Sequence, residues 1–203
     1  MQVVAIDGPV GSGKSTVARA VAARLRLDHL ETGAMYRAVA FAVLRRGVEP
    51  AADDPVLAEV AREVRMEVGE RLVVDGVDVT EELRRPEVGR AVSVVAADPG
   101  VRAELVRRQR EWVAERGGGV VDGRDIGSVV FPDATLRVFL TASEEERARR
   151  RGGDETAADV ARRDRVDSSR AASPLVVADG AVVIDTTDRS VDDVVDDILG
   201  RLP

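Results

Sequence analysis

A chain that carries Gly8-Pro9-Val10-Gly11-Ser12-Gly13-Lys14-Ser15, then Thr16, has few ways to fold around it. The stretch follows Val3-Val4-Ala5-Ile6, an apolar β-branched run that predicts a buried parallel strand. It leads into residues 16–25, where Val17, Val21, Ala22 and Leu25 share one helical face. Strand, glycine-rich turn and helix together make the setting of a phosphate-cradling loop. Glycines let backbone N–H groups converge on phosphate oxygens, and the helix N-terminus adds partial positive charge. Lys14 can reach β- and γ-phosphates, while the Ser15 hydroxyl can complete a Mg²⁺ shell. Lys14 is the only lysine among 30 basic residues, so its place in the loop is no by-product of a lysine-rich composition. Residues Gly8 to Thr16 therefore read as a nucleoside-triphosphate site.

The 203 residues suffice for one α/β domain with a small insertion. A second strand is expected over 27–31. A helix then runs through Leu44, with Thr32 as its cap and Met35, Val39 and Val43 as core. Arg37 lies in its early turns, after a strand end, where open α/β sheets bind ligands. A helical pattern over 53–64 gives way to period-two alternation in 64–68, 72–74 and 77–79. Asp75-Gly76 between two of these runs signals a hairpin, and hence a small antiparallel insert. Helices follow over 86–97 and 99–116, each opening on proline. The glycines at 117–119 stop the second. Residues 120–122 read as the third core strand, delivering Gly123-Arg124-Asp125-Ile126-Gly127 at its carboxyl end. Further strands at 136–140 and 181–184 and a closing amphipathic helix from Val191 to Leu199 complete an α/β fold of alternating strands and helices.

The most basic region lies between the last two strands, from Arg147 to Arg170. Arg149 and Arg165 read as solvated helix positions. Arg163, Asp167 and Arg170 share a helical face, which suits either an ion pair or a phosphate clamp. A phosphate-binding loop joined by arginines from separate loops suits phosphoryl transfer, where the protein positions reactants and neutralises charge. An anionic phosphate acceptor needs no strong base, so His29, the sole histidine, reads as a core or surface residue rather than a catalytic one. A GTP switch would need an Asn-Lys-x-Asp element, which a chain with no second lysine cannot contain. A small-molecule kinase or an NTP-binding regulatory module without turnover is left. The net charge of −7 argues against bulk nucleic-acid affinity. The absence of cysteine excludes thiolate chemistry and disulfides. With no signal-like segment or apolar membrane span, a cytoplasmic protein is expected.

At these motifs the chain resembles the bacterial cytidylate kinase family of the nucleoside monophosphate kinase superfamily. The likeness is carried by Gly8 to Thr16, by Thr32-Gly33-Ala34-Met35-Tyr36-Arg37, by Gly123 to Ala134, and by Arg163 to Arg170 with Pro174-Leu175. It implies a P-loop NTPase three-layer fold with a five-stranded parallel sheet, a small antiparallel insert in the monophosphate-binding region and a short lid. The domain boundaries it implies are a core of 1–58 and 98–203, an insert of about 59–97 and a lid of about 151–162. It implies ATP as donor, Mg²⁺ as cofactor, CMP and dCMP as acceptors, and a monomer acting on neither nucleic acid nor membrane. UMP or AMP as acceptor is the alternative within enzymes. Lys14, Arg124, Arg163 and Arg170 would be catalytic. Arg37, Arg124 and Arg170 would hold the acceptor phosphate, and Arg163 and Asp167 the ribose. Ser93, Arg102 and Asp125 would read the cytosine edge, with Thr32 and Gly123 completing the substrate-binding set. A carboxylate and an arginine complement cytosine's amino donor and its acceptors, whereas uracil would set an acceptor against Asp125. Glu31 and Ser128 stand where the family usually has Asp and Thr, and the segment between Arg151 and Arg162 is shorter than the family's usual lid.

Overall fold

In the computed structural model, all residues are described except 53, 70, 153–155 and 170–172, together with the side chains of 159 and 163. Five strands form one parallel sheet. They are β1 (Gln2–Asp7), β2 (His29–Glu31), β6 (Gly118–Gly123), β7 (Leu136–Thr141) and β8 (Val182–Asp185), in the order β2-β6-β1-β7-β8. The residues gather into two compact units, Met1–His29 with Val113–Pro203, and Leu30–Trp112.

In the first unit, β1 sits in the middle of the sheet because Val3 to Ile6 are apolar on both faces, as a doubly covered strand requires. Alternate residues on one face, Val4, Ile6, Val120, Leu136, Val138, Leu140 and Ile184, pack against two helices. These are α1 (Lys14–Leu25), through Val17, Val21 and Ala22, and α8 (Val191–Leu199), through Val194, Val195 and Ile198. α8 opens with a reciprocal capping box between Ser190 and Asp193. Between β7 and β8 lie α6 (Glu144–Arg151) and α7 (Ala157–Ser168). The expected lid of about 151–162 falls partly on 153–155, outside the described residues.

The second unit holds α2 (Thr32–Arg45), α3 (Pro55–Glu63), a three-stranded antiparallel sheet, a 3-10 turn at Glu82–Arg84, α4 (Pro86–Val95) and most of α5 (Pro99–Arg116). The small sheet runs β3 (Met66–Val68), β4 (Leu72–Val74), β5 (Val77–Asp78). Asp75 and Gly76 close it with φ of 50° and 81°, the two-residue turn that their sequence favours. α2 is buried around most of its circumference, including Met35, Val39 and Val43.

Beyond shifts of one or two residues at other element ends, three features differ from expectation. Thr32 does not cap α2 but is its first residue; Glu31 precedes it in extended conformation. The glycines at 117–119 divide between two jobs: Gly117 follows the end of α5, while Gly118 and Gly119 already pair with Gln2 and Val3 inside β6. A Cβ on Gly118 would lie 2.4 Å from the Gln2 carbonyl oxygen, so the strand begins on a glycine for lack of space. A π-helical turn at Ile126–Val130 follows β6 with no signal in the local sequence pattern.

Candidate functional site

β1 ends in Asp7, and the loop Gly8–Gly13 turns from it directly into α1. The turn is tight. A Cβ on Gly8 would lie 2.1 Å from the Leu140 carbonyl oxygen, and one on Gly11 would lie 2.6 Å from that of Arg147. Gly11 and Gly13 have φ of 75° and 87°, so α1 starts from a left-handed residue. Ser12 Oγ and Lys14 Nζ donate to the Pro9 carbonyl at 3.0 and 2.6 Å, holding the loop closed on itself. Val10 and Ser12 are buried, Ser15 is half-buried and Thr16 is exposed.

The register of β6 against β1 places Asp122 opposite Ile6 and Gly123 opposite Asp7. Gly123, Arg124 and Asp125 thus emerge beside the loop, at the carboxyl ends of both strands. Ser15 Oγ donates to Asp122 Oδ2 at 2.9 Å, and His29 Nε2 lies 2.7 Å from Asp122 Oδ1. Arg124 Nε donates to Asp167 Oδ2 at 2.8 Å, tying α7 to the end of β6. Burial, with the guanidinium of Arg124 nearby, lowers the Lys14 ammonium to about 7 against the pull of Asp122, Asp7 and Asp167. Burial raises the Asp7 carboxyl to about 6, even though the Gly127 and Ile126 amides donate to it. Asp122, at an oxygen's reach from Ser15, makes a hard, anionic corner that fits a Mg²⁺ ion. Among the described residues no three His, Cys, Asp or Glu gather as a metal cage, so such an ion would draw further ligands from phosphate and water.

In the other unit, Thr32 is buried at the start of α2, and Arg37 one turn later pairs with Glu31. Arg102 is buried in α5. It donates from Nη1 to the Ala96 carbonyl at 3.1 Å, with its guanidinium 5.5 Å from the centre of the Tyr36 ring. Ser93 is exposed on α4. The side chain of Arg163 and all of Arg170 lie outside the described residues.

Four residues with no assigned role in the sequence reading stand against these. Asp7 and Asp122 both end apolar core strands, and that pattern marks them: a carboxylate closing a buried parallel strand must lie on the ligand face or be neutralised. Arg147 donates to the carbonyls of Ala142 and Val10 and to Asp164. Arg150 holds Thr186 through Oγ1 and the carbonyl, and Thr186 Oγ1 in turn donates to the Ser12 carbonyl at 3.2 Å. These two arginines lie in a basic run that sequence alone cannot separate from a solvated face. Their exposed neighbour Arg149 is such a solvated residue, paired only with Glu146 among the contacts described.

Comparison with known proteins extends the likeness over the whole chain. The family model for cytidylate kinase matches residues 4–203. A cytidylate kinase of Desulfitobacterium hafniense (strain Y51) is 46% identical over 211 residues, covering 97% of this chain and 90% of its own length. One from Mycobacterium leprae (strain Br4923) is 49% identical over 197 residues, covering 91% of this chain and 88% of its own length. Among solved structures, a shikimate kinase from Acinetobacter baumannii in complex with shikimate superposes with a TM-score of 0.53 at 15% identity, over 98% of this chain and 91% of that one. A gluconokinase from Sinorhizobium meliloti 1021 does so with 0.53 at 16%, over 98% and 90%. At such identities these two speak for the fold alone, that of a P-loop kinase. With a phosphate loop, a carboxylate beside its serine and a match from residue 4 to the last, the chain belongs to the cytidylate kinase family.

Proposed function

We propose that this protein transfers the γ-phosphoryl group of ATP to CMP or dCMP, giving CDP or dCDP and ADP. The observation that carries this reading is the full-length family match. The loop geometry agrees with it: Lys14 is the first residue of α1, after a loop with left-handed Gly11 and Gly13, where an ammonium and a helix N-terminus would neutralise triphosphate oxygens. Ser15, with Asp122 behind it, would hold Mg²⁺, which would supply neutralisation of phosphate charge.

The acceptor side is read residue by residue. Arg37, Arg124 and Arg170 hold the acceptor phosphate. Arg163 and Asp167 hold the ribose, and Arg163 and Arg170 also attend the transferred phosphoryl. Ser93, Arg102 and Asp125 take the cytosine edge, with Thr32 and Gly123 lining the substrate. Burial of Arg102 and Asp125 supports this assignment, because buried charges discriminate strongly between a matched and a mismatched base. The acceptor oxygen is already anionic, so no general base is needed. Residues of about 59–97 form the monophosphate-binding insert, and about 151–162 the lid that excludes water. Among the described residues no helix is long and apolar enough to cross a membrane. The net charge of −7 argues against bulk nucleic-acid affinity, and a cytoplasmic monomer acting on small molecules completes the proposal.

The reading is tested by product analysis. CMP with MgATP should give CDP and ADP in equal amounts, and Lys14→Ala should lower kcat by at least about a hundredfold. ATP consumed without CDP would overturn it.

A further inference from the structure

Among the described residues, the hydrogen bonds of the Asp7 carboxylate go to neither the phosphate loop nor a cationic side chain. Its carboxylate is buried, 2% exposed, and accepts the backbone N–H of Ile126 at 2.8 Å and of Gly127 at 2.7 Å, one on each oxygen. Those two amides open the π-helical turn of Ile126–Val130. The same turn is closed from the other side by the Asp125 carbonyl, which accepts from Val129 at 2.9 Å and Val130 at 3.2 Å. The backbone at Asp125 itself is irregular, with φ of −143° and ψ of 24°. An irregular turn of this kind keeps one orientation only while its amides have partners. Here both partners come from a single side chain, on the residue that immediately precedes Gly8.

We propose that Asp7 is a positioning residue for acceptor recognition: it clips the turn that presents Asp125 to the strand that launches the phosphate loop. The inference rests on the base-reading role proposed for Asp125. Asp7 touches no substrate in this role. It fixes the direction of the Asp125 side chain, so its contribution passes through Asp125. Asn at position 7 keeps one acceptor oxygen but sets an NH₂ donor against the second amide, which must then swing away.

A double-mutant cycle on the full chain, read as Michaelis constants for CMP, UMP and MgATP, tests this. Asp7→Asn should raise KM for CMP about tenfold, narrow the CMP-over-UMP preference, and leave KM for ATP within about twofold. In an Asp125→Ala background the same change should cost less than about threefold more. Asp7→Ser, whose shorter hydroxyl stops short of both amides, should show the same pattern at least as strongly and serves if the Asn variant does not fold. A rise in KM for ATP equal to that for CMP would overturn the proposal, because Asp7 would then act through Lys14. Effects that multiply in full with Asp125→Ala, or a lowered melting temperature with unchanged CMP kinetics, would also overturn it. If Asp125→Ala itself leaves the base preference intact, the base-reading assignment falls and this inference with it. If Asp125→Ala narrows the preference and neither Asp7 variant does, only this inference falls.

Discussion

Burial sets the chemistry of the two charged residues that flank the phosphate loop. Asp7 and Lys14 stand at either end of Gly8–Gly13, and each is pushed toward its neutral form. For Asp7 the consequence for stability has a definite sign. Its carboxyl rises from 3.8 to about 6 in the folded protein, so the fold binds a proton that the unfolded chain releases. That contribution is complete below about pH 4 and is lost as pH rises through 6. From pH 7 to pH 5 the wild type should therefore gain roughly 1.3 kcal/mol relative to Asp7→Asn, about 3–5 °C in the difference between their melting temperatures. A difference that stays flat over this window would refute the burial of an ionisable Asp7. At Asp125 the expected effect is kinetic. Asp125→Ala should lower kcat/KM for CMP about 10- to 100-fold and UMP much less, measured in parallel titrations. Residues embedded in a motif were the more legible: Gly8 to Thr16 declares itself by spacing, and Gly123 to Asp125 by its place after a core strand together with the family resemblance. Arg147 and Arg150 were not, because their partners Val10 and Thr186 are distant along the chain.

The elements that carry these residues are held by ordinary means. α8 covers one face of the sheet through Val194, Val195 and Ile198, and its start is fixed by Ser190 Oγ accepting the Asp193 amide at 3.1 Å. Ser190→Ala should cost about 1 kcal/mol and lower the melting temperature by roughly 2–4 °C, with kcat and both Michaelis constants unchanged. A kinetic change in that variant would mean that α8 does more than support the sheet. Element types followed from periodicity and punctuation: the apolar run before Gly8, the Asp75-Gly76 turn, the prolines opening α4 and α5. Their limits were less legible wherever a tertiary contact decides them. Gly118 and Gly119 read as a helix stop but are recruited into β6 by pairing with β1. The π-helical turn after Asp125 depends on a carboxylate more than a hundred residues earlier, which no local pattern encodes.

At the scale of the molecule, the candidate site residues are distributed over the two units. The one built on the parallel sheet holds the phosphate loop, Asp122, Arg124, Asp125 and Asp167, and the one from Leu30 to Trp112 holds Thr32, Arg37, Ser93 and Arg102. A phosphate loop by itself implies only a bound triphosphate; specificity should be measured at the proposed acceptor set, with Arg37, Arg124, Arg163 and Arg170 for phosphates and Ser93, Arg102 and Asp125 for the base. Initial rates of ADP formation with MgATP and saturating CMP, dCMP, UMP or AMP, each in turn, provide the direct test. CMP and dCMP should support turnover at least about tenfold faster than UMP or AMP, with almost no ADP formed when the acceptor is omitted. UMP or AMP outpacing CMP, or ADP released at the same rate with no acceptor present, would contradict it.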